Sequence, residues 1–235
     1  MGGIRRTLAI INMIIMAISA NAWSWLSPYA YCMNNPVKFV DPDGKDVWLF
    51  ATKLPGVHVP MATHTFIVVT GANGEVMRYA AYGPQNGWPM GGDKLTECHY
   101  SQDIQVYRDY FRGKHNSNLR GEPQKINVPN NMTSNEFDKK VIQTINSFGN
   151  EDGITYSLFG GGADDTSGNC NTSSSTILIK SGVDKNEMQS IEGNIQGINT
   201  GFKTTNPKPW TKEEQEKALE KKDLINQSNI FQKPL

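Results

Sequence analysis

The chain lacks most of the features that announce a function class by themselves. Among 235 residues there are only three cysteines, Cys32, Cys98 and Cys170. They are too few and too widely spaced for a disulfide framework, and no CxxC pair begins a zinc site. Neither charge is in excess: 23 Lys and Arg balance 23 Asp and Glu. No broad basic field therefore favours nucleic acid as a partner, and no His-Asn-His or acidic metal motif marks a nuclease. No internal repeat is visible, and no apolar run reaches the ~20 residues that a membrane-crossing helix needs. Nothing in the pattern calls for a cofactor. The densest group of possible metal ligands, Cys98 and His99 with His115 and His58, matches no standard zinc spacing.

The N-terminus carries an export pattern. Arg5 and Arg6 form a short basic region, residues 8–18 are almost wholly apolar, and Ala20-Asn21-Ala22 is a small-x-small cleavage site. A signal peptide over 1–22 is expected, which puts the mature protein in the cell envelope or outside the cell. No stable membrane span remains after cleavage.

From residue 46 onward the pattern is that of an α+β domain. Residues 47–51 read as a strand ended by Pro55-Gly56. Residues 63–70 and 75–82 flank Gly71-Ala72-Asn73-Gly74, a standard hairpin turn. Both faces of 63–70 are largely apolar, which places that strand centrally. Residues 83–100 read as a long Gly- and Pro-rich loop, and 104–111 and 125–128 as strands. Ser134 is positioned to cap a helix carrying Phe137, Val141, Ile142, Ile145 and Phe148. Beyond Val183 the chain turns polar, and Thr211-Lys212-Glu213-Glu214 opens a charged helix to about residue 224.

The chemistry centres on residues 168–180. A loop ends at Asn169, whose neighbours to Thr172 supply capping side chains, and Ser181-Gly182 stops the helix that follows. Cys170 thus falls in a first helical turn, where unpaired N–H groups and the helix dipole favour thiolate over thiol. Small Ser173, Ser174 and Ser175 leave Ile177, Leu178 and Ile179 to seat the helix. His64, in Thr63-His64-Thr65-Phe66, is the leading base. Counting across the hairpin sets residues 81–83 opposite His64, so Tyr82, or Gln85 beyond it, is the available group to orient the imidazole. A lone Cys in a helix and a lone His on an apolar strand are also ordinary core residues.

Two resemblances attach to these stretches. Residues 27–45, with Tyr29-Ala30-Tyr31, Asn34-Asn35-Pro36 and Asp41-Pro42-Asp43-Gly44, resemble the end of the RHS (YD-repeat) associated core domain. That resemblance implies a variable C-terminal cargo, often a toxin or effector with an immunity protein as partner. It also maps a self-cleavage aspartate onto Asp41, which by turn chemistry alone is a turn residue. Residues 63–182, with Thr63-His64-Thr65-Phe66 and Asn169-Cys170-Asn171-Thr172, resemble the circularly permuted NlpC/P60 group of the papain-like fold, which includes lecithin:retinol acyltransferase-like proteins. Here the resemblance implies nucleophile Cys170, base His64 and an amide or ester substrate such as a peptidoglycan peptide or a protein.

The expected organisation is a signal at 1–22, an RHS-core remnant at 23–46, a permuted papain-like α+β domain at 47–200 and a polar tail at 201–235. The expected activity is that of a secreted cysteine hydrolase or acyltransferase. The alternative is a non-catalytic RHS-associated interaction module.

Overall fold

The computed structural model describes residues 46–56, 61–71, 74–87, 93–148, 154–160 and 166–208, with 211, 213, 214, 216, 217 and 220 beyond them. The expected signal peptide, the RHS-like segment with Asp41, and His58 lie outside the described residues. No helix among the described residues is long and apolar enough to cross a membrane.

The domain is mixed α+β, built on a five-stranded antiparallel sheet. Its strands are β1 (Asp46–Lys53), β2 (Thr63–Thr70), β3 (Val76–Pro84), β4 (Leu95–Cys98) and β5 (Gln124–Lys125), in spatial order β4-β3-β2-β1-β5. β2 is central and buried along its whole length, as its two apolar faces require. The expected hairpin is present: β2 and β3 pair antiparallel from Phe66↔Ala81 to Thr70↔Val76, with an irregularity at Val69/Thr70.

Among the described residues four helices accompany the sheet: α1 (Ser101–Phe111), α2 (Ser134–Asn146), α3 (Cys170–Ser181) and α4 (Lys185–Asn194). A small parallel pair, β6 (Thr155–Tyr156) and β7 (Ser167–Gly168), leads into α3. Strand alternation divides the core. Leu49, Ile67, Val69 and Ala80 face Phe137, Val141 and Ile145 of α2 and Ile177 and Leu178 of α3. Phe50, Phe66, Val68, Tyr79 and Ala81 face Val106 and Tyr107 of α1. The sheet is thus sandwiched, with α1 on one side and α2 and α3 on the other.

Several expectations are corrected. Residues 104–111 are part of a helix and not a strand: Asp103, Val106 and Tyr107 are all buried, a spacing of three and four that strand alternation cannot produce. Their β-branched and aromatic side chains imitate strand propensity, but packing against the sheet decides the period. The loop 83–100 contains β4, and the strand expected at 125–128 shrinks to the two residues of β5. Thr133, not Ser134, caps α2, in a reciprocal capping box with Glu136. α4, capped by Asp184, lies in the stretch read as merely polar. Phe202, assigned to the tail, is buried in the core. The capping box at Thr211 and Glu214 is formed, and Glu214 bonds Lys180 of α3.

Candidate active site

α3 begins where the sequence places it, at Cys170. The Asn169 side chain accepts from the Thr172 amide at 3.0 Å, and Gly182 in the left-handed conformation closes the helix. Two asparagines fix this start in space. Asn169 Nδ2 donates to the carbonyls of Leu158 and Thr200, each at 3.0 Å. Asn171 Nδ2 donates to Thr63 O at 3.0 Å and to Thr200 O at 3.1 Å. Thr65 Oγ1 donates to Cys170 O at 3.4 Å. The Cys170 end of the helix is therefore bolted to the first residues of β2, which carry His64.

His64 pairs with Thr52 of β1, while the β2–β3 ladder begins only at Phe66. It thus sits past the start of that ladder, where a group from the opposite helix layer can reach the ring. His64 and Cys170 line one recess, where Cys170 acts on the imidazole, and Cys170 Sγ donates to Asn171 Oδ1 at 3.7 Å. On its other side, His64 Nε2 donates to Asp103 Oδ2 at 2.9 Å. Asp103, in the first turn of α1, is fully buried and also accepts from Tyr79 Oη at 2.8 Å and Thr52 Oγ1 at 3.4 Å. A buried carboxylate with three donors is well satisfied. The Tyr100 ring packs edge-on to His64, with centroids 5.2 Å apart.

Burial alone would pull the imidazole pKa down, but its interactions with Asp103 and then Cys170 outweigh it and raise the value from 6.5 to about 10. The imidazolium is the favoured form at neutral pH. Burial and the Asp103 charge push the Tyr79 phenol upward, so it remains a donor to that carboxylate.

Of the residues singled out in the sequence, His64 and Cys170 are brought together, and Tyr82 does not serve as their orienter. Its hydroxyl donates to Ile145 O at 3.4 Å and its ring packs on Phe148. The physical reason is parity: Tyr82 shares a face with Ala80, toward α2, whereas His64 shares a face with Phe66, toward α1. Tyr82 forms only part of the recess wall. Gln85 is exposed on the turn beyond β3. The orienting group is Asp103, hidden in the sequence by reading α1 as a strand. Helical spacing of Asp103 with Val106, Tyr107 and Tyr110 was the signal that could have found it.

Among the described residues no group of three His, Cys, Asp or Glu side chains could hold a metal ion. Cys98 is a free thiol, and His99 packs against the Tyr79 ring.

Cys170 stands between two recesses. The smaller, about 50 Å3, is lined by His64, Gly83 and Tyr100. The larger, about 110 Å3, is lined by Leu54, Ala62, Leu158 and Ile198 beside Asn169 and Cys170. No family model, curated protein or solved structure matches this chain.

Proposed function

We propose that the chain is a secreted cysteine hydrolase or acyltransferase of permuted papain-like architecture, carried as RHS-type cargo. Its target is an amide or ester in a peptidoglycan peptide or in a protein of a rival cell. The observation that carries this reading is Asp103: a buried carboxylate on His64 Nε2 leaves the ring's other nitrogen to face the thiol, completing a Cys-His-Asp arrangement.

In the reaction so supported, His64 holds the proton as imidazolium beside the Cys170 thiolate, and the thiolate attacks the carbonyl carbon. The Cys170 amide, at the start of α3 with no intrahelical acceptor, is a donor for the charge on the carbonyl oxygen. As the tetrahedral centre collapses, the carbon–nitrogen or carbon–oxygen bond breaks and His64 returns its proton to the leaving group. Water or another acceptor, deprotonated by His64, then attacks the thioester and releases Cys170. General acid–base help of this kind contributes ~100- to 10,000-fold.

The competing reading, a non-catalytic interaction module, draws on the depth of the pair: Cys170 is 3% and His64 1% exposed. Iodoacetamide labelling followed by peptide mass spectrometry separates the two, with Cys98 as the internal reference. An activated Cys170 is alkylated faster than Cys98 at about pH 6 and slows at least ~10-fold in His64→Ala. A Cys170 rate that does not respond to His64→Ala removes the catalytic pair.

A further inference from the structure

Cys170 separates two recesses of different chemistry, and the position of the proton decides which part of a substrate each receives. His64, whose imidazole interacts with Cys170 and bonds Asp103, lines the smaller recess and not the larger. The leaving group must meet that acid to be protonated as its bond breaks, so it lies on the His64 side. The group attached to the acyl carbon then extends the other way, past Asn169, into the larger recess.

That recess offers almost no polar surface. Its walls are Leu54, Ala62, Leu158 and Ile198, and the Phe159 ring at its mouth is 76% exposed, with Ile198 at 53%. Large apolar side chains are seldom left this open around a concave site unless something apolar is received there. Its volume of about 110 Å3 is below the ~150 Å3 of an engineered cavity that admits benzene. A branched aliphatic side chain fits; a long acyl chain does not, and the lining holds no cationic side chain to pair a buried carboxylate.

We infer that the larger recess is the acyl-side specificity pocket and selects a short aliphatic residue, of valine to leucine size, immediately before the bond that Cys170 attacks. This rests on the catalytic reading above and names the substrate class for it: a peptide with an apolar residue on the acyl side.

The test uses N-acetyl-aminoacyl chloromethyl ketones, in which the Cys170 thiolate forms a sulfur–carbon bond at the methylene and chloride departs. Second-order rates on the full chain are read by mass spectrometry for probes carrying glycine, leucine or aspartate and for a long-chain alkyl analogue. Leucine is expected to exceed glycine by ~10- to 200-fold and to exceed aspartate and the long chain as well. Filling the pocket with Ala62→Leu brings the leucine-to-glycine ratio toward one. A wild-type ratio near one, or a faster aspartate or long-chain probe, overturns the pocket while a His64-dependent iodoacetamide rate leaves the catalytic reading standing. Loss of His64 dependence with iodoacetamide overturns the reading and the pocket together.

Discussion

Asp103→Asn removes one charge from the site and little of its volume. In the wild type the carboxylate sits 2.9 Å from His64 Nε2 with both side chains buried. An opposite charge at such a distance favours the charged imidazole by ~1 to 3 pK units, which is about 1.4 to 4 kcal/mol. Asparagine keeps an acceptor for the imidazole, and Thr52 and Tyr79 can rotate their hydroxyls to suit the amide. The change therefore falls mainly on charge. The imidazolium supports the thiolate, so iodoacetamide alkylation of Cys170 at about pH 7 is expected to slow by roughly one to three decades. Far-UV circular dichroism and a melting curve establish that the variant is folded, since breaking a buried pair outright costs ~3 to 5 kcal/mol. A folded Asp103→Asn protein alkylated within about two-fold of the wild-type rate would refute the role of Asp103.

Two further outcomes follow from the same contacts. The His64 pKa is raised from 6.5 to about 10, so the native state holds a proton that the unfolded chain releases. The stability this supplies is fully present below about pH 6.5 and is lost as pH rises toward about 10; urea midpoints at about pH 6, 8 and 9.5 should fall in that order, and less steeply in Asp103→Asn. Gly201 has φ +82°, and a Cβ there would lie 2.5 Å from Gly160 Cα and from Thr172 Oγ1. Gly201→Ala is expected to lower stability by ~2 kcal/mol or more, with an unchanged urea midpoint counting against the packing described.

What could be read from the sequence was what local chemistry decides. The β2–β3 hairpin is signalled by the Asn73-Gly74 dipeptide between apolar runs, and α3 by a capping asparagine and a terminal glycine. Both signals lie within a few residues of what they specify. α1 was different, because Ile104, Val106, Tyr107 and Tyr110 carry strand-like propensity, and only burial against the second face of the sheet makes them helical. Asp103 was lost with it. α4 buries just Met188 and Ile191, too few apolar residues for a clear period. β5 is two residues long and exists through pairing with β1, Leu49 with Gln124 and Trp48 with Lys125, partners that are neighbours only in three dimensions.

The serines of α3 have a consequence for when the site comes into being. Ser175 Oγ and Thr176 Oγ1 accept from the amides of Lys203 and Lys208, while Asn169 and Asn171 both rely on Thr200 O. Small side chains there leave room for a strand of main chain where bulky ones would have filled it. During synthesis, residues 199–208 emerge after every other part of the sheet and of α3, and Asn169 and Asn171 wait for their last acceptor until then. The Cys170 end of the helix is thus fully tied down only once residue 200 is present, and a nascent chain short of it lacks one acceptor for each of the two asparagines.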